Sequence, residues 1–170
     1  MKIYQLKTDK DKAHFRELSI EYFTYMFENL TAKYGIPIDI DSAEYADQSM
    51  ASLEKFAPPT GHLLLCEIDG EIAGMGGMIP MGDNYWEIKR IYVRPQFRGK
   101  GIARQLLEQL IMLAREGDYS AIRLETIQFM TAAQRLYRTF GFEEIGVYEE
   151  GEMPTSLAEN MVYFELKLGC

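Results

Sequence analysis

A glycine-rich turn between a strand and a helix is the part of this sequence best suited to chemistry. The apolar run Ile91–Val93 stops at Pro95, and the turn Arg-Gly-Lys-Gly follows at residues 98–101. Beyond the turn, apolar residues recur at helical spacing. The first turn of a helix carries backbone N–H groups without intrahelical partners, together with the positive end of the helix dipole. Because glycine lacks a Cβ, a ligand can approach this backbone closely, so the pattern predicts a pocket for a phosphate or pyrophosphate.

Two motifs in this region resemble those of the GNAT superfamily of N-acetyltransferases. The CoA-binding motif of that family, Q/R-x-x-G-x-G/A, falls on Gln96, Gly99 and Gly101. The second motif, A-x-x-L-Y-x-x-x-G-F, falls on residues 133–142. A bare G-x-G would indicate only a turn that starts a helix. Two motifs in the order of the family, separated by about one strand and one helix, are much more specific, and they favour an acetyltransferase.

The elements that position these motifs predict an α/β fold with a mixed sheet. Hydrophobic periodicity, glycines and prolines give the order β-α-α-β-β-β-α-β-α-β-β, with helices packed on the sheet. The resemblance implies a GNAT-type fold whose sheet is splayed between strands 85–93 and 121–126, with helices on both faces. It also implies a single domain, residues 1–170, with acceptor-side helices at 1–60 and an acetyl-CoA-binding core at 85–142.

The resemblance also implies a reaction and a co-substrate. We expect transfer of an acetyl group from acetyl-CoA to a primary amine of a small molecule or peptide, by direct attack in a ternary complex. Backbone N–H groups of the turn would hold the pyrophosphate. The pantetheine arm would pair with the preceding strand, where a splayed neighbour leaves N–H and C=O groups without partners. The predicted cofactor-binding residues are Ile91, Val93, Arg98, Gly99, Lys100, Gly101, Ile102 and Ala103.

Glu87 is the first candidate for the general base, because some GNAT members place a catalytic glutamate at the matching position. Side-chain alternation predicts that Glu87 shares a strand face with Lys89, Ile91 and Val93. About 13 Å of extended strand separates Glu87 from Ile91, so a water relay is favoured over direct contact with the amine. The alternative is a structural carboxylate, solvated or paired with Lys89. Glu125, on the neighbouring predicted strand, is the second candidate base.

Tyr137, in the second motif, is the candidate general acid. A phenol can give its proton to a departing thiolate, and in the family this tyrosine often lies near the cofactor sulfur. The alternative is packing on an apolar helix face. One position departs from the family pattern: many members have Asn where this sequence has Met130. An amide contact to the cofactor is therefore missing here, or Thr131 supplies a substitute.

Composition excludes several classes of protein. The chain has 170 residues, a net charge of −8, two histidines and two cysteines. The negative charge disfavours nucleic acid and mildly favours a cationic amine, and the basic residues Arg90, Arg94, Arg98 and Lys100 are explained by phosphate binding. Too few ligands are present for a zinc site, and no metal is expected. No apolar window is long enough for a membrane span or signal peptide, so we expect a cytoplasmic protein.

Two other functions stay open on the residues alone. One is a CoA-binding sensor or regulatory module that keeps the fold without catalysis, and the other is a pocket for a different phosphate ligand, such as a nucleotide. No motif identifies the acceptor. A homodimer is a further possibility, because the last predicted strand is able to pair across a dimer interface.

Overall fold

The computed structural model describes residues 1–82, 84–117, 119–148 and 155–169. Within these residues the predicted order of strands and helices is confirmed. The strands are β1 (Lys2–Gln5), β2 (His62–Ile68), β3 (Glu71–Met81), β4 (Tyr85–Val93), β5 (Ala121–Ile127), β6 (Glu143–Ile145) and β7 (Met161–Lys167). The helices are α1 (Asp9–Tyr34), α2 (Ser42–Met50), α3 (Ile102–Arg115) and α4 (Thr131–Thr139). Short 3₁₀ turns lie at Leu53–Phe56, Pro95–Phe97 and Thr155–Asn160.

The seven strands form a mixed sheet in the order β1-β2-β3-β4-β5-β7-β6. β1 pairs antiparallel with β2, β4 pairs parallel with β5, and β7 pairs antiparallel with both β5 and β6. The predicted mixed sheet with helices is therefore confirmed. The last strand, β7, has neighbours on both sides along Tyr163–Glu165. That stretch is not a free edge, so the suggested route to a dimer through the last strand is wrong there.

The chain divides into two compact units. The first contains residues 1–77 and 90–107, and the second contains residues 78–89 and 108–170. The first unit has its own buried core, which includes Phe15, Leu18, Leu65, Met75 and Leu106. The second unit is built around β5, α4 and β7, and its buried side chains include Leu110, Ile122, Leu124 and Phe164. That the whole chain is one domain stays a prediction.

Local sequence signals explain the ends of α1. Thr8 is the N-cap: its side chain accepts from the Asp11 N–H, and the Asp11 carboxylate accepts from the Thr8 N–H at 2.8 Å. This reciprocal capping box satisfies donors that a helix start leaves without partners. At the other end, Gly35 adopts φ +65, the left-handed conformation that favours glycine. A tight turn at Asp69-Gly70, where both residues have positive φ, joins β2 to β3, and Asp-Gly is typical of such hairpins.

Close backbone approach fixes β3 against the end of β4 in the first unit. An ideal Cβ placed on Gly74 would lie 2.6 Å from the Tyr92 carbonyl oxygen, a distance that real side chains do not reach. Nearby, the Arg94 N–H donates to the Ala73 carbonyl at 2.9 Å. Only glycine fits at position 74 without moving the strand that leads into the glycine turn.

We therefore predict that Gly74→Ala destabilises the protein by about 1–3 kcal/mol, the usual range for overpacking a tight interior. The measurement is chemical unfolding monitored by circular dichroism. Gly146→Ala is the matched control, because a Cβ at Gly146 meets no atom within 4 Å. Equal unfolding midpoints for the two variants would contradict the prediction and would show that β4 moves to accommodate the added methyl group.

Candidate acetyl-CoA and proton-transfer sites

The glycine turn connects β4 to α3 in the first unit. A 3₁₀ turn at Pro95–Phe97 buries Phe97 and leaves residues 98–101 exposed. Gly99 and Gly101 both have φ +78, and a Cβ built on either would meet no atom within 4 Å. The glycines are therefore needed for a left-handed backbone rather than for lack of space, and the backbone between them is open to a ligand.

Backbone N–H groups at this turn are the donors that a diphosphate would need. In the described residues, no hydrogen bond occupies five consecutive N–H groups, those of Gly99, Lys100, Gly101, Ile102 and Ala103. Consecutive free donors at a helix start form an anion-binding site, reinforced by the helix dipole. Five of the predicted residues therefore lie together and fit a pyrophosphate.

Arg98 differs from this group. Its N–H already donates to the Pro95 carbonyl at 3.2 Å, and its part in binding the cofactor stays a prediction. Its side chain also faces the protein: Nε donates to the Val93 carbonyl at 3.1 Å, and the guanidinium lies 5.4 Å from the Tyr25 ring centroid. Arg98 thus braces the corner between β4 and the turn.

Two other basic residues near the turn also contact protein groups. Arg94 pairs with Glu21 at 2.8 Å and Glu17 at 3.0 Å, and Nη1 donates to the Ile72 carbonyl at 2.9 Å. Arg90 is 8% exposed. Its guanidinium lies 5.5–5.9 Å from three phenylalanine rings, those of Phe15, Phe23 and Phe56. The explanation of these arginines by phosphate binding is therefore wrong, because their charges serve α1 and an aromatic cluster.

Tyr92 lies between these charges. Its hydroxyl donates to Glu21 Oε2 at 3.3 Å. Burial, with a further contribution from the Glu21 carboxylate, raises the pKa of Tyr92 to about 12. Tyr92 therefore keeps its proton across the physiological range and acts as a fixed donor to α1. Ile91 is half-buried and Val93 is buried on either side of it.

The strand before the turn departs from regular geometry in two ways. β4 pairs with β5 over its first three residues, ending at Glu87↔Arg123. Both strands continue, with no further pairs between them in the described residues, which is what the predicted splay requires. In addition, Arg90 has φ +58. A left-handed residue interrupts side-chain alternation, so the expectation that Glu87 shares a face with Ile91 and Val93 is wrong beyond this point.

Glu87 lies in the second unit, where it is completely buried. Its Oε2 is 3.0 Å from Lys89 Nζ, so the ion pair considered from the sequence is present. Its Oε1 accepts from the Tyr148 hydroxyl at 3.0 Å. The carboxylate is therefore paired rather than solvated, and both of its oxygens are engaged. Glu125, the second candidate base, is half-buried on β5.

Tyr137 is on α4, also in the second unit. It is 7% exposed, and its ring centroid lies 5.9 Å from those of Phe142 and Phe164. Burial raises the pKa of Tyr137 to about 12. The phenol is thus both packed and protonated, so the structure is compatible with a packing role and with a proton donor.

The start of α4 explains the departure at Met130. Met130 is the N-cap residue, and its side chain makes no capping hydrogen bond. Its sulfur instead accepts from the Thr126 hydroxyl at 3.6 Å. Thr131, considered as a substitute for the amide contact, is the exposed first residue of the helix. Buried Gln134 ties α4 to the preceding segment through the carbonyls of Ile127 and Gln128.

Sequence reasoning missed Tyr148. It stands 61 residues from Glu87 along the chain and belongs to neither motif. No local spacing relates the two residues, so only the folded chain brings them together. In the part of the chain described, no group of three or more His, Cys, Asp or Glu could hold a metal ion. Nor does any helix there have the length and apolar character of a membrane span.

Comparison with known proteins places this geometry in a family. The profile of the Acetyltransferase (GNAT) family matches residues 15–142. An uncharacterized N-acetyltransferase of Escherichia coli, YjgM, is 32% identical over 124 residues, which are 71% of this chain and 74% of that protein. An N-acetylaspartate synthetase of Danio rerio is 34% identical over 118 residues, which are 68% of this chain and 41% of that protein.

Solved structures agree with this placement. A Klebsiella pneumoniae protein, provisionally assigned as an acyl-CoA N-acyltransferase, aligns with TM-score 0.71 and 26% identity over 99% of this chain and 97% of that chain. A provisionally assigned acetyltransferase of Salmonella typhimurium, solved with its cofactor acetyl-CoA, aligns with TM-score 0.70 over 100% of this chain and 95% of that chain. At 21% identity the second match shows the fold alone. The chain therefore belongs to the GNAT family, whose members are acetyl-CoA-dependent N-acetyltransferases, and it is an enzyme of that class.

Proposed function

We propose that this enzyme moves an acetyl group from acetyl-CoA to a primary amine of a small molecule or peptide, by direct attack in a ternary complex. The observation that carries the proposal is the row of five N–H groups from Gly99 to Ala103, which lack acceptors in the described residues. Such a row fits the two phosphates that acetyl-CoA carries at its middle. The acetyl-CoA in the Salmonella structure supports the same choice of co-substrate.

The strand end would hold the rest of the cofactor. Backbone groups of Ile91 and Val93 are the proposed partners of the pantetheine arm. The Val93 carbonyl already accepts from Arg98. A carbonyl oxygen has two lone pairs, so a second donor can bind beside the arginine. The absence of β4–β5 pairs beyond Glu87 leaves this part of the strand suited to an added partner.

Direct attack is favoured because the described residues offer no activated nucleophile. Cys66 is completely buried, and burial raises the pKa of its thiol. A buried thiol of this kind is inert, since the thiolate is the reactive form. A covalent acetyl-enzyme would need such a nucleophile beside a base. The amine nitrogen therefore attacks the thioester carbon, and the carbon–sulfur bond breaks.

Two protons have to move in this reaction. An ammonium acceptor first loses one proton, which frees its lone pair for attack, and we propose Glu87 as the base that finally receives it. The departing thiolate gains a proton, for which we propose Tyr137 as the donor. The attacking nitrogen then loses its second proton, which restores the phenol of Tyr137. The complete burial of Glu87 means that the proton must pass through a partner or through water. The pKa of Tyr137, about 12, keeps the phenol protonated until the thiolate forms.

The acceptor is proposed to be cationic at neutral pH. The net charge of −8 attracts amines over long range and repels polyanions. The test is a panel of amino acids, polyamines, aminoglycosides and peptides, each incubated with enzyme and acetyl-CoA while free thiol is detected. Thiol release that depends on one amine class supports the proposal. No release with any amine, despite measurable acetyl-CoA binding, contradicts it and favours a non-catalytic CoA-binding module.

We predict that Gly101→Ala weakens acetyl-CoA binding at least tenfold in isothermal titration calorimetry. A methyl group at φ +78 strains the turn and intrudes on the ligand's approach to the N–H groups. Gly35→Ala is the matched control. Gly35 has φ +65, and a Cβ there meets no atom within 4 Å, as at Gly101, but Gly35 lies at the end of α1 and not in the glycine turn. Both variants should lose similar stability, and only Gly101→Ala should lose affinity. Equal affinities would refute the assignment of the turn.

We predict that Tyr137→Phe lowers kcat about 100-fold without changing acetyl-CoA affinity, because a general acid typically contributes 10²–10⁴-fold. With the pKa of Tyr137 near 12, the wild-type rate should show no alkaline loss due to this residue below about pH 10. Tyr119→Phe is the control, because it removes a hydroxyl from a tyrosine that has no proposed catalytic role and whose ring packs against Trp86. Unchanged turnover of Tyr137→Phe would leave this tyrosine with a packing role only.

A further inference from the structure

We propose that Tyr148 is the relay through which the amine's proton reaches Glu87. The Tyr148 oxygen takes up the proton released by the acceptor, while the proton of the Tyr148 hydroxyl passes to Glu87 Oε1. One O–H bond forms and one breaks on Tyr148, so the phenol is unchanged and Glu87 ends as a neutral acid. This inference rests on the proposed acetyl transfer and adds a residue to it.

Burial makes a relay necessary. Glu87 has no solvent-exposed surface, so an amine or a bulk water molecule does not reach its carboxylate directly. Two side chains of the described residues lie within proton-transfer distance of its oxygens. Lys89 Nζ lies 3.0 Å from Oε2, and the Tyr148 hydroxyl lies 3.0 Å from Oε1.

Chemistry selects Tyr148 over Lys89. An ammonium group has three donors and no lone pair, so it cannot accept a proton while it donates one. A hydroxyl has one donor and two lone pairs, and it can do both. Exposure agrees with this choice: Lys89 is 8% exposed, whereas Tyr148 is half-buried. The tyrosine is thus the more accessible of the two partners.

The surroundings of Tyr148 keep its hydroxyl in place and protonated. Its ring packs edge-on against Tyr163 at 5.4 Å and Tyr85 at 6.3 Å, and the Arg123 guanidinium lies 5.5 Å away. Burial first, and then the carboxylates of Glu87 and Glu125, raise the pKa of Tyr148 well above its ordinary value. The tyrosinate is therefore not formed as a separate species, and the two transfers are concerted.

The charged groups around the relay come from three strands. Lys89 is on β4, and Arg123 and Glu125 are on β5. Glu165 on β7 accepts from Arg123 Nε at 2.9 Å, which holds the guanidinium beside the tyrosine rings. Lys89 stabilises the carboxylate form of Glu87, so the acid formed in turnover returns its proton readily by the same path.

The experiment compares Tyr148→Phe, Glu87→Gln and the double variant, with the best amine of the panel as acceptor. We expect each single variant to lower kcat about 100-fold, with KM for acetyl-CoA unchanged. Because both residues serve one proton path, the double variant should show no further loss. Tyr163→Phe is the matched control: it removes a hydroxyl from a neighbouring ring that does not bond Glu87, and it should keep wild-type kcat.

A partial rescue separates a relay from a packing role. Tyr148→His restores a donor and an acceptor in one ring, so its kcat should exceed that of Tyr148→Phe at pH 8. Thermal unfolding of every variant shows whether it is folded. If Tyr148→Phe does not fold, the kcat of Tyr148→His is compared with that of the wild type instead.

Several results would overturn the relay. They are wild-type kcat in Tyr148→Phe, losses that multiply in the double variant, or a His variant no better than Phe. A wild-type enzyme without turnover on any amine would instead refute acetyl transfer itself, and the relay with it.

Discussion

A left-handed backbone at two points of one turn is the constraint on which the rest depends. Gly99 and Gly101 both have φ +78, which an L-residue with a Cβ adopts only at a cost. From Gly99 to Ala103, five consecutive N–H groups have no acceptor in the described residues. A turn that satisfied these donors internally would be more stable alone, but it would have nothing to offer a diphosphate. The proposed cofactor site thus requires backbone N–H groups that the described residues leave without acceptors.

A second constraint acts on the proposed chemistry. The Glu87 carboxylate is removed from solvent and compensated by an ammonium group and a phenol. Burying a charge in this way is tolerated only when partners are close and well oriented. The same pairing that makes burial possible also restricts the path by which a proton can arrive. Structural compensation and proton transfer therefore depend on the same two side chains.

Local features of the sequence are sufficient to predict several parts of the fold and of the candidate site. The glycine turn, the capping box at Thr8 and the Asp69-Gly70 hairpin depend on neighbours a few residues apart, and each is present. The Glu87–Lys89 pair follows from two-residue alternation within one strand. Such features can be found in the sequence because the residues that interact are close together in it, so their spacing alone carries the information.

Other features depend on contacts between distant parts of the chain. Tyr148 reaches Glu87 across 61 residues, and Arg94 reaches Glu21 across 73. Nothing in the types of these residues specifies their partners. Arg90 adopts φ +58 although arginine does not favour that conformation, so alternation counted from Glu87 failed where tertiary packing overrode local preference. The assignments of base, acid and acceptor stay proposals for the same reason.

The arrangement of arginines near the turn has a consequence for how an anion is attracted. Arg94 is neutralised by two glutamates, and Arg90 is enclosed by three aromatic rings. Attraction at the turn therefore comes from amide dipoles together with the exposed cations Arg98 and Lys100. Dipoles act at short range, whereas attraction between net charges is screened by mobile ions over about 10 Å at 0.1 M ionic strength. Added salt therefore weakens the attraction of the turn's cations for the cofactor and also screens the repulsion of that polyanion by the net charge of −8, so the two effects oppose each other.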